Sequence, residues 1–145
     1  MSTIKCDIVT VERLVYSDEV DMVVAPGTMG TLGILPKHAP LITALEEGEL
    51  RLKKGEEEEH FAISGGYLEV RPDRVIVMAN TAERADEIDE ARAEAARQRA
   101  EQLLKEKPPD MDRAAIEGAL RRSYIRLKIV RKRRRRTRPQ ERIEE

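Results

Sequence analysis

The chain has 145 residues with a formal net charge of −1; 38 % of the residues are charged, and it contains three Tyr, one Phe and no Trp. This length allows one moderate core with an appendage but excludes two large domains, and the core must be aliphatic. No apolar stretch is long enough to span a bilayer and the start lacks the apolar run of a secretory signal, which predicts a cytoplasmic location.

The charge is distributed unevenly along the chain. Residues 1–120 hold 15 Lys and Arg against 25 Asp and Glu, whereas residues 121–138 hold 11 basic residues and no acidic one. We therefore expect the C-terminal end to meet a partner with an acidic face or a polyanionic ligand.

The first half of the chain has the pattern of an all-β domain. From Ile4 to about Ala79, eight to ten short apolar or alternating runs are separated by turn residues. These spacings leave no room for helical crossovers, so a flattened barrel or sandwich is predicted. Cys6 is expected to pack inside a strand, Ser64-Gly65-Gly66 to form a hairpin bend, and Glu56–Glu59 to form a solvated loop.

Helix-forming residues replace this pattern after Asn80, and neither Gly nor Pro follows until Pro108. A first helix is predicted from about Glu87 to Glu106, with Asp86 as its N-cap. Its apolar stripe is predicted to contain the following residues: Ile88, Ala91, Ala95, Leu103 and Leu104.

Pro108-Pro109-Asp110 forces a break, and either Asp110 or Asp112 can cap a second helix that begins near Arg113. Its predicted stripe contains Ile116, Ala119, Ser123, Leu127 and Val130. The short turn predicts an antiparallel two-helix hairpin with a thin seam, able to leave its packed state at modest cost. The fold class is thus α+β by segments, with a β-domain over residues 1–84, a hairpin over 85–134 and a disordered tail over 135–145.

Features that would suggest catalysis are weak. His38 and His60 are the only histidines and lack metal-ligand spacing, and Gly27-x-x-Gly30-x-x-Gly33 lacks the Lys-Ser/Thr of a phosphate-binding loop. We therefore expect no catalytic residue, no metal and no catalytic cofactor.

Four arginines of the predicted hairpin have suggestive spacing. Arg92 and Arg99 are seven residues apart on the first helix, and Arg122 and Arg126 are four apart on the second, so each pair shares a helix face. If the hairpin closes, they could converge on one phosphate chain. Taken by itself, the periodicity favours solvated arginines that pair with Glu on their own helix over this convergence.

Three sequence blocks resemble bacterial F-type ATP synthase epsilon subunits over nearly the whole chain. The first runs from Pro26-Gly27 through Gly30-Thr31-Leu32-Gly33-Ile34-Leu35-Pro36-Lys37-His38-Ala39-Pro40-Leu41, the second is Phe61-Ala62-Ile63-Ser64-Gly65-Gly66-Tyr67-Leu68-Glu69-Val70, and the third is Ile88-Asp89-Glu90-Ala91-Arg92-Ala93. The third block is similar to the nucleotide-binding motif of ATP-sensing members of the family.

The resemblance implies a non-catalytic central-stalk subunit of a proton-translocating synthase, peripheral at the cytoplasmic face of the cell membrane. Its partners would be the gamma subunit, the beta subunits and the membrane rotor ring, and His38 is the candidate docking residue toward the stalk. The hairpin would permit ATP hydrolysis when folded and inhibit it when extended, through a basic face that contains Arg131, Lys132, Arg133 and Arg134.

In ATP-sensing members of the family, ATP is a regulatory ligand of the folded hairpin. The positions that match here are Glu83, Ile88, Asp89, Arg92, Ala93, Arg99, Arg122 and Arg126. The arginine run from Arg131 onward and the tail to Glu145 extend beyond the family pattern.

Two alternatives accompany this interpretation. The basic C-terminal end could belong to a nucleic-acid-binding module, although the basic segment contains one aromatic residue, Tyr124, and the β-domain is acidic. The chain could also be a structural coupler without nucleotide sensing. Direct titration with ATP separates sensing from coupling alone.

Overall fold

The computed structural model describes residues 2–137, with side chains in the last helix described as far as Lys132. Eight strands precede two helices: β1 Ile4–Val9, β2 Leu14–Val20, β3 Met22–Gly27, β4 Gly30–Ile34, β5 Leu41–Lys54, β6 Glu57–Arg71, β7 Arg74–Ala79, β8 Ala82–Arg84, α1 Glu90–Lys105 and α2 Asp110–Thr137. The chain divides into two compact units between Arg84 and Ala85. The predicted order of a β-domain and then a helical hairpin is confirmed.

The first unit is one sheet folded around an aliphatic core. The strand order is β2-β1-β7-β6-β5-β3-β4, and β8 pairs with β6. All pairs are antiparallel except β1 with β7, which is parallel. The long strands β5 and β6 pair along most of their length, and β6 then pairs with β7 through its second half and with β8 through its first. Side chains on the inner face, such as Ile8, Leu50, Phe61 and Val77, are fully buried.

Cys6 is buried on β1, as predicted. Burial, with a contribution from the Asp7 carboxylate, raises the pKa of its thiol to about 12, so the thiol stays protonated at neutral pH.

Two predictions about the β-domain are wrong. Ser64-Gly65-Gly66 does not end a strand but bends β6 in mid-course, because Gly65 and Gly66 adopt φ values of 97° and 132° and let the strand turn without losing its ladder. A Cβ at Gly66 would lie 2.1 Å from the Met78 carbonyl oxygen, so only glycine fits.

The second wrong prediction concerns Glu56–Glu59, which was expected to form a solvated loop but lies mostly in β6. Glu57 already belongs to β6, and the Glu58 side chain is only 16 % exposed. Its carboxylate lies 3.2 Å from Nε2 of the buried His60, whose Nδ1 is 3.0 Å from Glu49 Oε1. Two contacts hold this segment in the sheet: the strand pairs with β5, and the imidazole of His60 lies between the carboxylates of Glu49 and Glu58.

The second unit is the antiparallel hairpin. A 3₁₀ turn, Ala85–Glu87, precedes α1. The N-cap is Asp89 and not Asp86, because its carboxylate accepts a hydrogen bond from the Arg92 amide at 3.1 Å. Helix α2 begins at Asp110, where the carbonyl of Pro109 accepts from the amides of Asp112 and Arg113.

The seam between α1 and α2 is only partly as predicted. On α2, Ser123 and Leu127 are buried and Ile116, Ala119 and Val130 are half-buried, which confirms that stripe. On α1 the buried residues are Ala93 and Ala100, whereas the predicted Ala91, Ala95 and Leu103 are exposed. Many alanines lie on α1, so several faces look equally apolar in the sequence and only the contact with α2 selects one.

Helix α2 continues to Thr137, three residues past the predicted end of the hairpin at residue 134. The rest of the predicted tail, residues 138–145, lies outside the described residues. None of the helices in the described part of the chain is long and apolar enough to cross a membrane.

Candidate functional site

The two flanks of the hairpin carry different side chains, and the reason is a repeated triplet in α1. Arg92 and Arg99 each precede a buried alanine, while Glu94 and Glu101 each follow one. At about 100° per residue, the arginines lie on one side of the contact stripe and the glutamates on the other.

Helix α2 repeats this arrangement about its own buried stripe. Arg122 precedes the buried Ser123 and Tyr124 follows it, and Arg126 precedes the buried Leu127. The hydroxyl of Tyr124 donates to Glu101 Oε1 at 2.6 Å, so the residues that follow the stripe share one flank. The residues that precede the stripe must share the other.

We call this second side the arginine flank, defined by Arg92, Arg99, Arg122 and Arg126. The hydrogen bond between Tyr124 and Glu101 shows that these two residues lie at the same height along the hairpin. Because the helices are antiparallel, Arg99, two residues before Glu101, and Arg126, two residues after Tyr124, also lie at one height. Measured along the hairpin axis, Arg92 lies about 10 Å from Arg99 toward the open end, and Arg122 lies about 6 Å from Arg126 toward the turn. The four arginines therefore lie on one flank, spread over about 16 Å along the hairpin axis, and their convergence on one phosphate chain stays a prediction.

The arginines differ in exposure. Arg92, Arg99 and Arg122 are exposed and Arg126 is half-buried. Among the described side chains, Arg92 and Arg99 make no ion pair, which leaves their guanidinium forks available to an anion. Ile129, on the same side of α2 as Arg122, is only 1 % exposed and therefore belongs to the packed interior.

The other predicted nucleotide residues occupy several places. Ala93 is buried in the seam and Ile88 is 9 % exposed, so both shape the hairpin rather than present polar atoms. Asp89 uses Oδ1 to cap α1. Glu83 is half-buried on β8, in the first unit, where it pairs in register with Ala62 of β6.

The residues proposed for docking and inhibition lie elsewhere. His38 is half-buried in the loop before β5, and its Nδ1 lies 2.7 Å from the Ala39 carbonyl oxygen. On α2, Arg131 is exposed and Lys132 half-buried, and Arg133 and Arg134 continue the helix. One continuous helix therefore carries the whole basic run.

Sequence reasoning missed the flank opposite the arginines. Arg97 donates to Glu94 from Nε at 3.1 Å and to Glu101 from Nη1 at 2.7 Å. Hydrogen bonding from Arg97 lowers the pKa of Glu94, and that from Tyr124 lowers the pKa of Glu101. The signal was present in the sequence as Arg92-Ala93-Glu94 repeated seven residues later in Arg99-Ala100-Glu101.

It also missed an apolar outer face on the first unit. Tyr67 stands opposite Ala44 on β5 and Met78 on β7, and Met78 stands opposite Val9 on β1. We call this row, with the neighbouring Ile42, the outer apolar face; Ile42 is 72 % exposed and Tyr67 is 59 % exposed. The sequence did contain a sign of this face. Neighbouring residues of a strand point to opposite faces of the sheet, so adjacent apolar pairs such as Leu41-Ile42 and Tyr67-Leu68 place one apolar side chain on the outer face.

Two domains of a known protein family match this chain, and the boundary between them lies close to the boundary between the two units. The family described as ATP synthase, Delta/Epsilon chain, beta-sandwich domain matches residues 3–85, and the long alpha-helix domain of the same family matches residues 86–131. The ATP synthase epsilon chain of Dehalococcoides mccartyi is 57 % identical over 92 % of this chain and 96 % of its own length. The ATP synthase epsilon chain of Herpetosiphon aurantiacus is 53 % identical over 92 % of this chain and 98 % of its own length.

Solved structures share the fold at lower identity. A chain of the Euglena gracilis mitochondrial ATP synthase is similar with a TM-score of 0.65 and 21 % identity, covering 92 % of this chain and 81 % of that one. A chain of the Tetrahymena thermophila mitochondrial ATP synthase central stalk and c-ring has a TM-score of 0.57 and 14 % identity, covering 89 % and 97 %. The predicted family and fold are thus confirmed.

Proposed function

This chain belongs to the family of ATP synthase epsilon chains, and on that premise we propose a non-catalytic subunit of the central stalk that couples rotation to ATP synthesis and regulates hydrolysis. The observation that supports the regulatory part is the arginine flank, which brings arginines of both helices to one side of the closed hairpin. The family membership favours this function over the nucleic-acid-binding alternative.

The β-domain is the docking unit of this proposal. Its outer apolar face supports a protein contact, because exposed apolar patches on a charged surface are typical of interfaces. The gamma subunit is the proposed partner of this face and of His38. The membrane rotor ring lies nearby, and the subunit is peripheral at the cytoplasmic side of the membrane.

The hairpin is the regulatory unit. Its seam is thin, since the buried residues of α1 are alanines, and this supports a helix pair that opens at modest cost. When it extends, the basic run Arg131, Lys132, Arg133 and Arg134 meets acidic segments of the beta subunits and inhibits hydrolysis.

ATP is the proposed ligand of the closed hairpin. Guanidinium forks from both helices suit the oxygens of a phosphate chain, so bound ATP would staple α1 to α2. A ligand bound only by the closed state stabilises it by about 2.7 kcal/mol at a hundredfold excess over Kd. High ATP then favours the permissive state, and low ATP favours inhibition. Asp89 is proposed to assist at the adenine end while it also caps α1.

Calorimetric titration of the full chain with ATP tests the sensor. Arg99→Ala and Arg126→Ala, which lie level on opposite helices, should each weaken binding about tenfold. Arg113→Ala, at the turn end of α2, is the matched control and should bind ATP as the parent does. If millimolar ATP gives no signal with a folded hairpin, the chain is a coupler without sensing.

Hydrolysis assays of the assembled synthase test the inhibitory role. Replacing the four basic residues 131–134 with Gln should relieve inhibition and reduce its dependence on salt. A matched variant replaces Lys105, Lys107, Arg113 and Arg121 with Gln near the turn. Equal hydrolysis in parent and both variants, at low and high salt, would remove the basic run from the mechanism.

A further inference from the structure

The first residue of the proposed inhibitory run is already engaged within the closed hairpin. Arg131 Nη2 lies 3.3 Å from Glu94 Oε2, and its Nε lies 3.6 Å from Glu90 Oε1. Both carboxylates belong to α1, on the flank opposite Arg92 and Arg99. The contact therefore links the two helices independently of the arginine flank.

The surface that receives Arg131 carries three glutamates of α1. We call it the acidic flank of α1, defined by Glu90, Glu94 and Glu101. Arg97 holds Glu94 and Glu101 through an i,i+3 and an i,i+4 pair, and its side chain is only 23 % exposed. Two of these three carboxylates, those of Glu90 and Glu94, lie opposite Arg131, which is the first of six consecutive basic residues from Arg131 to Arg136.

From this arrangement we infer that the acidic flank is an internal docking surface for the basic end of α2, and that it competes with the acidic partner which that end inhibits. With Nε facing Glu90 and Nη2 facing Glu94, the Arg131 guanidinium keeps fewer donors for another protein's carboxylates, and its charge is already partly neutralised. The closed hairpin thus withholds Arg131 from its target. The competition with a partner rests on the proposed inhibitory function, whereas the internal docking does not.

The two flanks give the closed state two separate supports. The acidic flank closes the hairpin without a ligand, and the arginine flank does so only with an anion bound. Loss of the acidic flank should therefore raise the open population in the absence of nucleotide, and ATP should still shift it back.

The test uses the full chain with spin labels at Ala95→Cys and Ala114→Cys, two exposed alanines on different helices. The native Cys6 is buried and does not compete for the label. E90Q/E94Q removes the negative charge of the two partners of Arg131, and E106Q/E117Q removes the same charge near the turn as the matched control. We expect the open population to rise about 2- to 10-fold in the first variant and to stay at the parent value in the second.

R131Q provides an independent route to the same answer if E90Q/E94Q disturbs α1. It should open the hairpin by a similar factor, and adding it to E90Q/E94Q should have little further effect, because the same contacts are already lost. Label distances unchanged in both variants, or effects that simply add, would overturn the inference.

Inhibition of hydrolysis is measured in parallel on the assembled synthase. With docking and inhibition both correct, E90Q/E94Q inhibits more strongly than the parent because it opens more often. If the labels show opening but inhibition is unchanged, the internal docking is upheld and the competition with an acidic partner is overturned.

Discussion

Tyr124 on α2 donates its hydroxyl hydrogen bond to Glu101 on α1 at 2.6 Å, across the seam of the hairpin. Glu101 also accepts from Arg97, so the contact ties α2 to an ion pair that α1 already holds. This hydrogen bond needs both helices in contact, so its presence distinguishes the closed hairpin from the open one.

Removing this hydroxyl should loosen the hairpin and nothing else. Tyr124→Phe keeps the ring but loses the bond to Glu101, so we expect hydrogen exchange of α1 and α2 amides to accelerate about 2- to 10-fold. Strand amides should exchange at the parent rate. Tyr67→Phe, on the exposed face of β6, is the control and should change neither; equal protection of the helices in Tyr124→Phe would contradict the role given to this bond.

Closure should depend on pH at both extremes. The hydrogen bond from Tyr124 across the seam lowers the pKa of Glu101 from 4.5, so the stabilisation of the closed state is complete above that value and is lost as acid protonates Glu101 in the closed state. The hydrogen bond to Glu101 raises the pKa of Tyr124 from 10.0, so its stabilisation is complete below pH 10 and is lost as the phenol ionises above it.

The label distances described above should therefore be constant between about pH 5 and pH 9 and shift toward the open state outside that range. Glu101→Gln should weaken the acid-induced change, and Tyr124→Phe should abolish the alkaline one. A transition centred near pH 7 would show that other groups control closure.

The bend in β6 requires glycine at position 66. Gly66→Ala places a Cβ against the Met78 carbonyl at a φ of 132°, and we expect a loss of about 3 kcal/mol or more in the unfolding free energy of the β-domain. Gly55→Ala is matched in chemistry, with a φ of 63° and open space around it, and should cost only about 1–2 kcal/mol. Denaturant unfolding followed by strand circular dichroism measures both, and similar losses would show that the contact with Met78 is relieved elsewhere.

The outer apolar face should be needed for assembly but not for folding. Ile42→Asp places a charge in this face, and we expect at least tenfold weaker incorporation into the stalk because a buried charge would lack a partner. Met111→Asp, at a position 90 % exposed near the start of α2, makes the same chemical change and should assemble normally. Pull-down with the gamma subunit measures this, and normal assembly of Ile42→Asp would exclude the face from the interface.

The β-domain should fold without the hairpin. Its core runs from Ile4 to Ala79, inside the first unit, so residues 1–84 should unfold in one cooperative transition. A fragment of residues 1–72 lacks β7, whose Val75 and Val77 are fully buried, and should not fold. Chemical-shift dispersion in NMR spectra distinguishes these outcomes; a disordered 1–84 fragment would mean that the hairpin supplies part of the core.

The sequence alone determined the order of the elements and the family, because turn residues, helix formers and three motif blocks act locally. It also determined that Arg92 and Arg99, and Arg122 and Arg126, share helix faces, since that follows from helical period. The tertiary structure decided which face of α1 is buried, because its alanines point in several directions and only the contact with α2 selects Ala93 and Ala100. It likewise decided that Glu94 and Glu101 meet Arg131 and Tyr124, since no local rule specifies the level at which two helices pair.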